Sequence, residues 1–301
     1  MSSVFTHATV SMDTVVTMRV VESGDVDARR AACADAIERA TEWFRRVEAC
    51  CNRFDPSSEL RQLSDDIGTP TPASPILFET LRFALALAED TCGAFDPTIG
   101  RRMEARGFDR DYRTGKRSTS EIVAAEGVTY RDVELDAGAR TITLHRPLLL
   151  DLGAVAKGFA IDMAARELAA FENFAIDAGG DLYLAGSNER GEPWSVGIRH
   201  PRAPDTVLET LAISNVAACT SGDYERATRE HGHHIVDPET GGPANRAASV
   251  TVLAPVAMVA DGLATAAFVL GPERGIALLE RHGVRGIVIT PALERFATSD
   301  T

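Results

Sequence analysis

Between Asp25 and Cys50 the apolar residues Ala32, Ile37, Ala40, Phe44 and Val47 recur every three or four positions among arginines and glutamates, the spacing of an amphipathic helix with one buried stripe. Ile76 to Asp90 predicts a second helix. Ser74 supplies an N-cap hydroxyl, Pro75 suits a first turn, and Gly93 supplies a stop. Further along the period drops to two: Val133 and Leu135, then Ile142 and Leu144, alternate on either side of Asp136-Ala137-Gly138-Ala139-Arg140 and predict a hairpin. Leu148–Leu152 reads as a short buried strand running into Gly153, after which Val155–Ala170 turns helical. Phe174–Ile176 and Leu182–Leu184 flank Gly179-Gly180, and Trp194–Ile198 and Leu208–Ile213 also read as strands. The polar run Phe108 to Arg117 has no period and predicts a solvated surface loop. This order is neither a regular βαβ alternation nor a repeat. The expected fold is α+β, with mixed, largely antiparallel sheets flanked by helices and no clean linker.

One stretch breaks the pattern. Val256 to Leu270, bracketed by Pro255 and Gly271-Pro272, is apolar on all sides and predicts a buried helix. Only Asp261 and Thr265 carry polar side chains there, and a spacing of four stacks them one turn apart on one face. A carboxylate in such a helix needs a partner. Either Thr265 bonds back to the carbonyl of residue 261 while Asp261 caps a neighbouring loop, or the pair belongs to a hard-cation site with oxygen ligands, such as Mg²⁺. Leu149 to Gly158 has the form strand, glycine turn, helix start. Its helix N-terminus and Lys157 favour an anion such as phosphate, and the same turn serves equally as a plain connection. Thr220-Ser221-Gly222-Asp223-Tyr224 reads as a turn offering small residues and a carboxylate. In His231-Gly232-His233-His234 the histidine spacing matches no familiar structural zinc pattern, while a single histidine is the natural proton acceptor near neutral pH. Phe54 and Phe95 each stand close to an Asp-Pro step, where an aromatic either stacks on a flat heterocycle or closes a core.

Composition narrows the partners. The 301 residues suit one large domain or two modest ones. With 31 basic against 44 acidic residues the net charge is −13, which excludes a sequence-independent grip on nucleic acid or an anionic membrane. No apolar run approaches the ~20 residues that span a bilayer, so membrane insertion is not expected. The N-terminal stretch lacks the basic and apolar regions of an export signal, so the expected location is cytoplasmic. Five cysteines without a Cys-x-x-Cys pair are expected to be buried reduced thiols.

In order along the chain, Met12-Asp13-Thr14, Phe54-Asp55-Pro56-Ser57-Ser58-Glu59-Leu60, Gly93 to Gly100, Asp151 to Gly158, Asp177 to Asp181, Thr220 to Tyr224, His234 to Pro238 and Ala260 to Thr265 resemble the ApbE family, the FAD:protein FMN transferases. The likeness covers nearly the whole sequence. It implies one domain over residues 1–301, with two packed α+β lobes allowed. It also implies a Mg²⁺-dependent enzyme that binds FAD, moves FMN to a Thr or Ser hydroxyl of an acceptor flavoprotein and releases AMP. By the same resemblance Mg²⁺ is held by the Ala154 carbonyl, Asp261 and Thr265. Flavin contacts fall to Met12, Phe54, Ala94, Phe95, Asp96, Asp151 and Lys157, and His234 is the candidate base. The family often has Tyr where this chain has Phe54 and glycine where it has Asp13, and Arg101-Arg102-Met103 departs from the usual Pro-Leu continuation. The alternatives are an FAD pyrophosphatase that yields FMN and AMP, and a non-catalytic FAD-binding protein.

Overall fold

Two ten-residue strands, β1 (Ser2–Ser11) and β2 (Thr14–Ser23), pair antiparallel across a two-residue loop, Met12-Asp13, in which both residues have positive φ, 51° and 61°. That is the tight-turn geometry that matches the twist of paired strands. The structure is a computed structural model and describes residues 2–23, 26–110, 115, 117, 118, 120, 122, 123, 125–225 and 232–299. After β2 come α1 (Val26–Cys51), α2 (Glu59–Gln62), β3 (Thr71–Pro72), α3 (Pro75–Asp90) and α4 (Gly100–Ala105). The hairpin of β4 (Val133–Asp136) and β5 (Thr141–Leu144) joins β3 in a small sheet of order β3-β5-β4. Then follow α5 (Ala156–Glu167), β6 (Asn173–Ala178), β7 (Asp181–Ala185), β8 (Trp194–His200), β9 (Ala203–Ile213) and β10 (Val216–Gly222). The chain continues through β11 (Ser249–Ala254), α6 (Ala257–Leu270), α7 (Pro272–Arg281), β12 (Arg285–Ile289) and β13 (Arg295–Ala297).

Eight strands form the main sheet in the order β1-β2-β6-β7-β10-β11-β12-β13, each neighbouring pair antiparallel. α6 lies on β10 and β11, α7 on β12, and α5 bridges α6 to α1. The core between helices and sheet includes Phe44, Leu77, Leu152, Ile176, Val250 and Phe268, each large side chain contributing about 1.5–3 kcal/mol by leaving water. On the sheet's other side, Trp194 and Ile213 of the β8–β9 ribbon cover Val21, Leu184, Ala218 and Leu253.

Local chemistry explains the helix ends. Ser74 Oγ accepts the Leu77 N–H (3.2 Å) at the start of α3, and Gly93, at φ 85°, returns its N–H to the Ala88 carbonyl (2.8 Å) just past the end. α1 matches the first predicted helix, although Asp25 lies outside the described residues.

The α+β expectation holds, and four readings are corrected. Leu148–Leu152 is no strand. Its apolar run reflects burial, and Leu149 makes only a parallel bridge to Ile99, with its carbonyl accepting the Gly100 N–H (3.0 Å). Val216–Gly222 is a central strand, so Thr220 and Ser221 stand on regular sheet rather than in a turn. In the expected surface loop, Phe108 and Asp109 are buried and Asp109 pairs with Arg117; residues 111–114 and 116 lie outside the described residues. All five cysteines are free thiols as expected, but Cys92 is exposed. Among the described residues no helix is long and apolar enough to cross a membrane.

Candidate active site

Two hairpin tips meet at one end of the main sheet. The β6–β7 loop is Gly179-Gly180, both with positive φ (66° and 94°), and it lies beside the β1–β2 tip because β2 pairs with β6. A Cβ on Gly179 would fall 2.1 Å from Thr14 Oγ1, so only glycine fits there. Facing these tips, α5 and α6 approach so closely that a Cβ on Gly158 would sit 2.6 Å from the Ala257 carbonyl oxygen. Two carboxylates tie the helices in opposite directions. Asp162 of α5 accepts the Ala257 and Met258 N–H groups at the start of α6 (2.6 and 2.9 Å), and Asp261 of α6 accepts the Gly158 N–H (3.2 Å). A carboxylate at a helix N-terminus satisfies amides that have no partner within the helix.

Burial pushes the Asp162 carboxyl up to about 6, with the like charge of Asp261 adding to the rise and the two amide bonds and Arg166 opposing it. Because the folded form holds its proton more tightly than the unfolded chain, protonation favours folding. That contribution is complete below about pH 4, is lost as pH rises toward 6, and is of the order of 3 kcal/mol. Asp162→Asn is therefore expected to flatten the dependence of Tm on pH between 4 and 6. Parallel thermal melts of the two proteins check this, and identical slopes would show that Asp162 keeps the same protonation in both states.

Between the tips and the helices lies a cavity of about 460 Å³. Met12, Phe54, Asp151, Ala154, Lys157, His234, Asp261 and Thr265 all line it, drawn from positions across the chain. Lys157 pairs with Asp181 and stands 3.6 Å from Asp261. Asp181 Oδ1 in turn accepts the Thr220 N–H (3.0 Å). Thr265 Oγ1 shares a hydrogen bond with Ser221 Oγ (3.1 Å), so its hydroxyl reaches sideways to β10, while Asp261 does serve a neighbouring amide. Both side chains keep to one face of α6 and turn it toward the cavity. The Ala154 turn, Asp261 and Thr265 offer carbonyl, carboxylate and hydroxyl oxygens with no sulfur or imidazole among them, a donor set that fits a hard divalent cation. At another part of the wall, Asp151 pairs with Arg53 (Nε to Oδ2, 2.6 Å) and accepts the Gly153 N–H (2.8 Å). His234 Nδ1 lies 3.2 Å from the Glu225 carbonyl. A ring nitrogen facing a carbonyl carries the hydrogen, which leaves Nε2 as the basic atom.

Three residues expected to touch the flavin, Ala94, Phe95 and Asp96, do not line this cavity. Phe95 is 5 % exposed and packs in the main core, and Ala94 and Asp96 line a second cavity of about 400 Å³. Asp96 is structural there. It accepts the Thr98 N–H and hydroxyl (2.8 and 2.7 Å) and the Tyr130 N–H (3.1 Å), while burial pushes its carboxyl up. Of the two phenylalanines, Phe54 faces the cavity and Phe95 closes the core. His233 packs edge-on against Phe268, burial holding its imidazole below the usual histidine range, and His231 lies outside the described residues. Among the described residues no group of three His, Cys, Asp or Glu side chains could hold a metal. Asp162, Asp181, Ser221 and Arg53 carry no role in the sequence reading. Asp181 closes the Asp177-Ala178-Gly179-Gly180-Asp181 motif and Ser221 lies within Thr220 to Tyr224, whereas Asp162 and Arg53 have no local signal.

Fold and cavity define a class: an α+β protein with a cavity framed by two hairpin tips and a cross-tied helix pair. The ApbE family is matched over residues 12–288, and this chain belongs to it. It is 29 % identical to the FAD:protein FMN transferase of Haemophilus influenzae over 97 % of this chain and 88 % of that one. It is 34 % identical to the protein of the same name from Treponema pallidum, covering 85 % and 77 %. Among solved structures it is similar to the ApbE protein of Thermotoga maritima (TM-score 0.84, 29 % identity, 99 % and 98 % covered) and to the flavin transferase ApbE of Vibrio cholerae (TM-score 0.81, 27 % identity, 99 % and 98 % covered).

Proposed function

We propose that this chain is an FAD:protein FMN transferase whose reaction takes place in the 460 Å³ cavity: FAD enters, FMN passes to a Thr or Ser hydroxyl of an acceptor protein, and AMP leaves. The observation that carries the reading is the convergence of Met12, Phe54, Asp151, Ala154, Lys157, His234, Asp261 and Thr265 on that one space, together with relatives that bear the activity in their names.

In this reading Ala154, Asp261 and Thr265 hold Mg²⁺, which supplies charge neutralisation at the diphosphate of FAD. Local neutralisation is needed because a net charge of −13 repels a dianion. Lys157 adds a fixed cation near the diphosphate, steadied by Asp181. The acceptor hydroxyl oxygen bonds to the FMN-side phosphorus, the bond from that phosphorus to the bridging oxygen breaks, and AMP departs with that oxygen. His234 Nε2 takes the hydroxyl proton, its ring held by the Glu225 carbonyl at Nδ1. Phe54 and Met12 offer apolar surface to the flavin ring.

Incubation with FAD, Mg²⁺ and candidate acceptor proteins should give a fluorescent flavin band that survives denaturing electrophoresis, with AMP equal to the flavin attached. AMP formed equally fast without acceptor would instead mark a pyrophosphatase. FAD bound with no AMP under any metal condition would mark a binding protein.

A further inference from the structure

Arg53 is 8 % exposed, lines the cavity, and uses its guanidinium unevenly. Nε pairs with Asp151 Oδ2 (2.6 Å) and Nη2 donates to the Phe108 carbonyl (2.6 Å), but Nη1 is buried with no hydrogen-bond partner among the described residues. The Phe54 ring lies over the same group, its centroid 4.0 Å from Cζ. A guanidinium has five N–H donors, and shutting a charged donor away without an acceptor is costly, so such an atom in a binding wall points to an acceptor that arrives with the ligand.

We propose that Arg53 is a specificity-determining residue: its Nη1 donates to a ring carbonyl of the flavin while the neighbouring Asp151 accepts the adjacent ring N–H. The inference rests on the cavity taking FAD. The choice of ring over phosphate follows from Asp151. A carboxylate beside the donor repels a phosphate oxygen, whereas a donor next to an acceptor complements the C=O and N–H of a cyclic imide, which is the pyrimidine edge of isoalloxazine. The half-buried Phe54 ring lies over the guanidinium at the same wall of the cavity, an apolar face beside the two polar partners. Arg53 thus reads the base-like edge of the ring, and the Ala154, Asp261 and Lys157 group handles the phosphates.

The test uses riboflavin, which has the ring and no phosphate, and ADP, which has the diphosphate and no flavin. Arg53→Met, which keeps the apolar stem, is expected to weaken riboflavin and FAD binding roughly ten- to a hundredfold and to leave ADP binding within twofold. The visible band of bound riboflavin should also move back toward that of free riboflavin, because the cation at the ring carbonyl is gone. In turnover, KM for FAD should rise far more than kcat falls. If Arg53→Met does not fold, Arg53→Lys, which keeps charge but cannot serve Asp151 and the ring together, should lose riboflavin affinity several-fold at unchanged ADP affinity. Unchanged riboflavin binding in a folded variant, or equal losses for riboflavin and ADP, would overturn the proposal. A wild-type protein that binds riboflavin yet transfers no FMN would sink the transferase reading while leaving the Arg53 result to stand on binding alone.

Discussion

Asp261→Ala is expected to abolish FMN transfer, by at least ~10³-fold, because it removes the only carboxylate among the three proposed Mg²⁺ donors and with it several kcal/mol of charge stabilisation in the transition state. The loss should not be rescued by raising Mg²⁺ into the physiological millimolar range. Asp261 also accepts the Gly158 N–H, so its removal leaves one buried amide unpartnered, at a cost of about 1–3 kcal/mol. Asp261→Asn separates the two effects: its amide oxygen can keep the Gly158 contact while the charge is gone. Transfer rate against Mg²⁺ concentration, read beside the melting temperature of both variants, is the measurement. An Asn variant with wild-type metal dependence would remove Asp261 from the metal site and leave it a helix tie.

His234→Ala should retain FAD binding and lose about 10²–10⁴-fold in kcat, the usual contribution of a positioned general base. Its side chain lines the cavity, turns its Nδ1 edge to the Glu225 carbonyl and meets the Phe108 ring edge-on, so the melting temperature is read beside the kinetics. Quenching of FAD fluorescence measures binding, and single-turnover transfer measures the chemical step. If the variant turns over at the wild-type rate, the proton goes elsewhere, and Nε2 has no part in the step.

The parts of the site that were legible in the sequence are those where a residue contradicts its surroundings. Asp261 and Thr265 stand alone in an apolar helix, and the structure turns both toward one cavity. Lys157 and Asp151 bracket a glycine turn, and both are there too. Asp162 and Arg53 are legible only in three dimensions: Asp162 stands among Ala160, Ile161, Met163 and Ala164, Arg53 between Asn52 and Phe54, and tertiary contact with α6 or Asp151 gives each its work. In the Gly93 to Gly100 motif, Phe95 packs in the core and Asp96 holds the Thr98 and Tyr130 amides. At the level of elements, α1, α3 and α6 were readable from their period and brackets. β1 was not, because an edge strand exposes Val4, Thr6, Ala8 and Val10 alike and shows no clean alternation. β11 was missed for the reverse cause: every residue from Ser249 to Ala254 is buried, which erases the period altogether.

The reciprocal ties between α5 and α6 have a thermodynamic consequence. With Asp162 gripping one helix start and Asp261 gripping the other, the pair behaves as a single block, and the oxygens that face the cavity are set before any ligand arrives. Disorder that binding would otherwise have to remove was already surrendered when the chain folded, so more of the contact energy at the phosphates remains available as affinity.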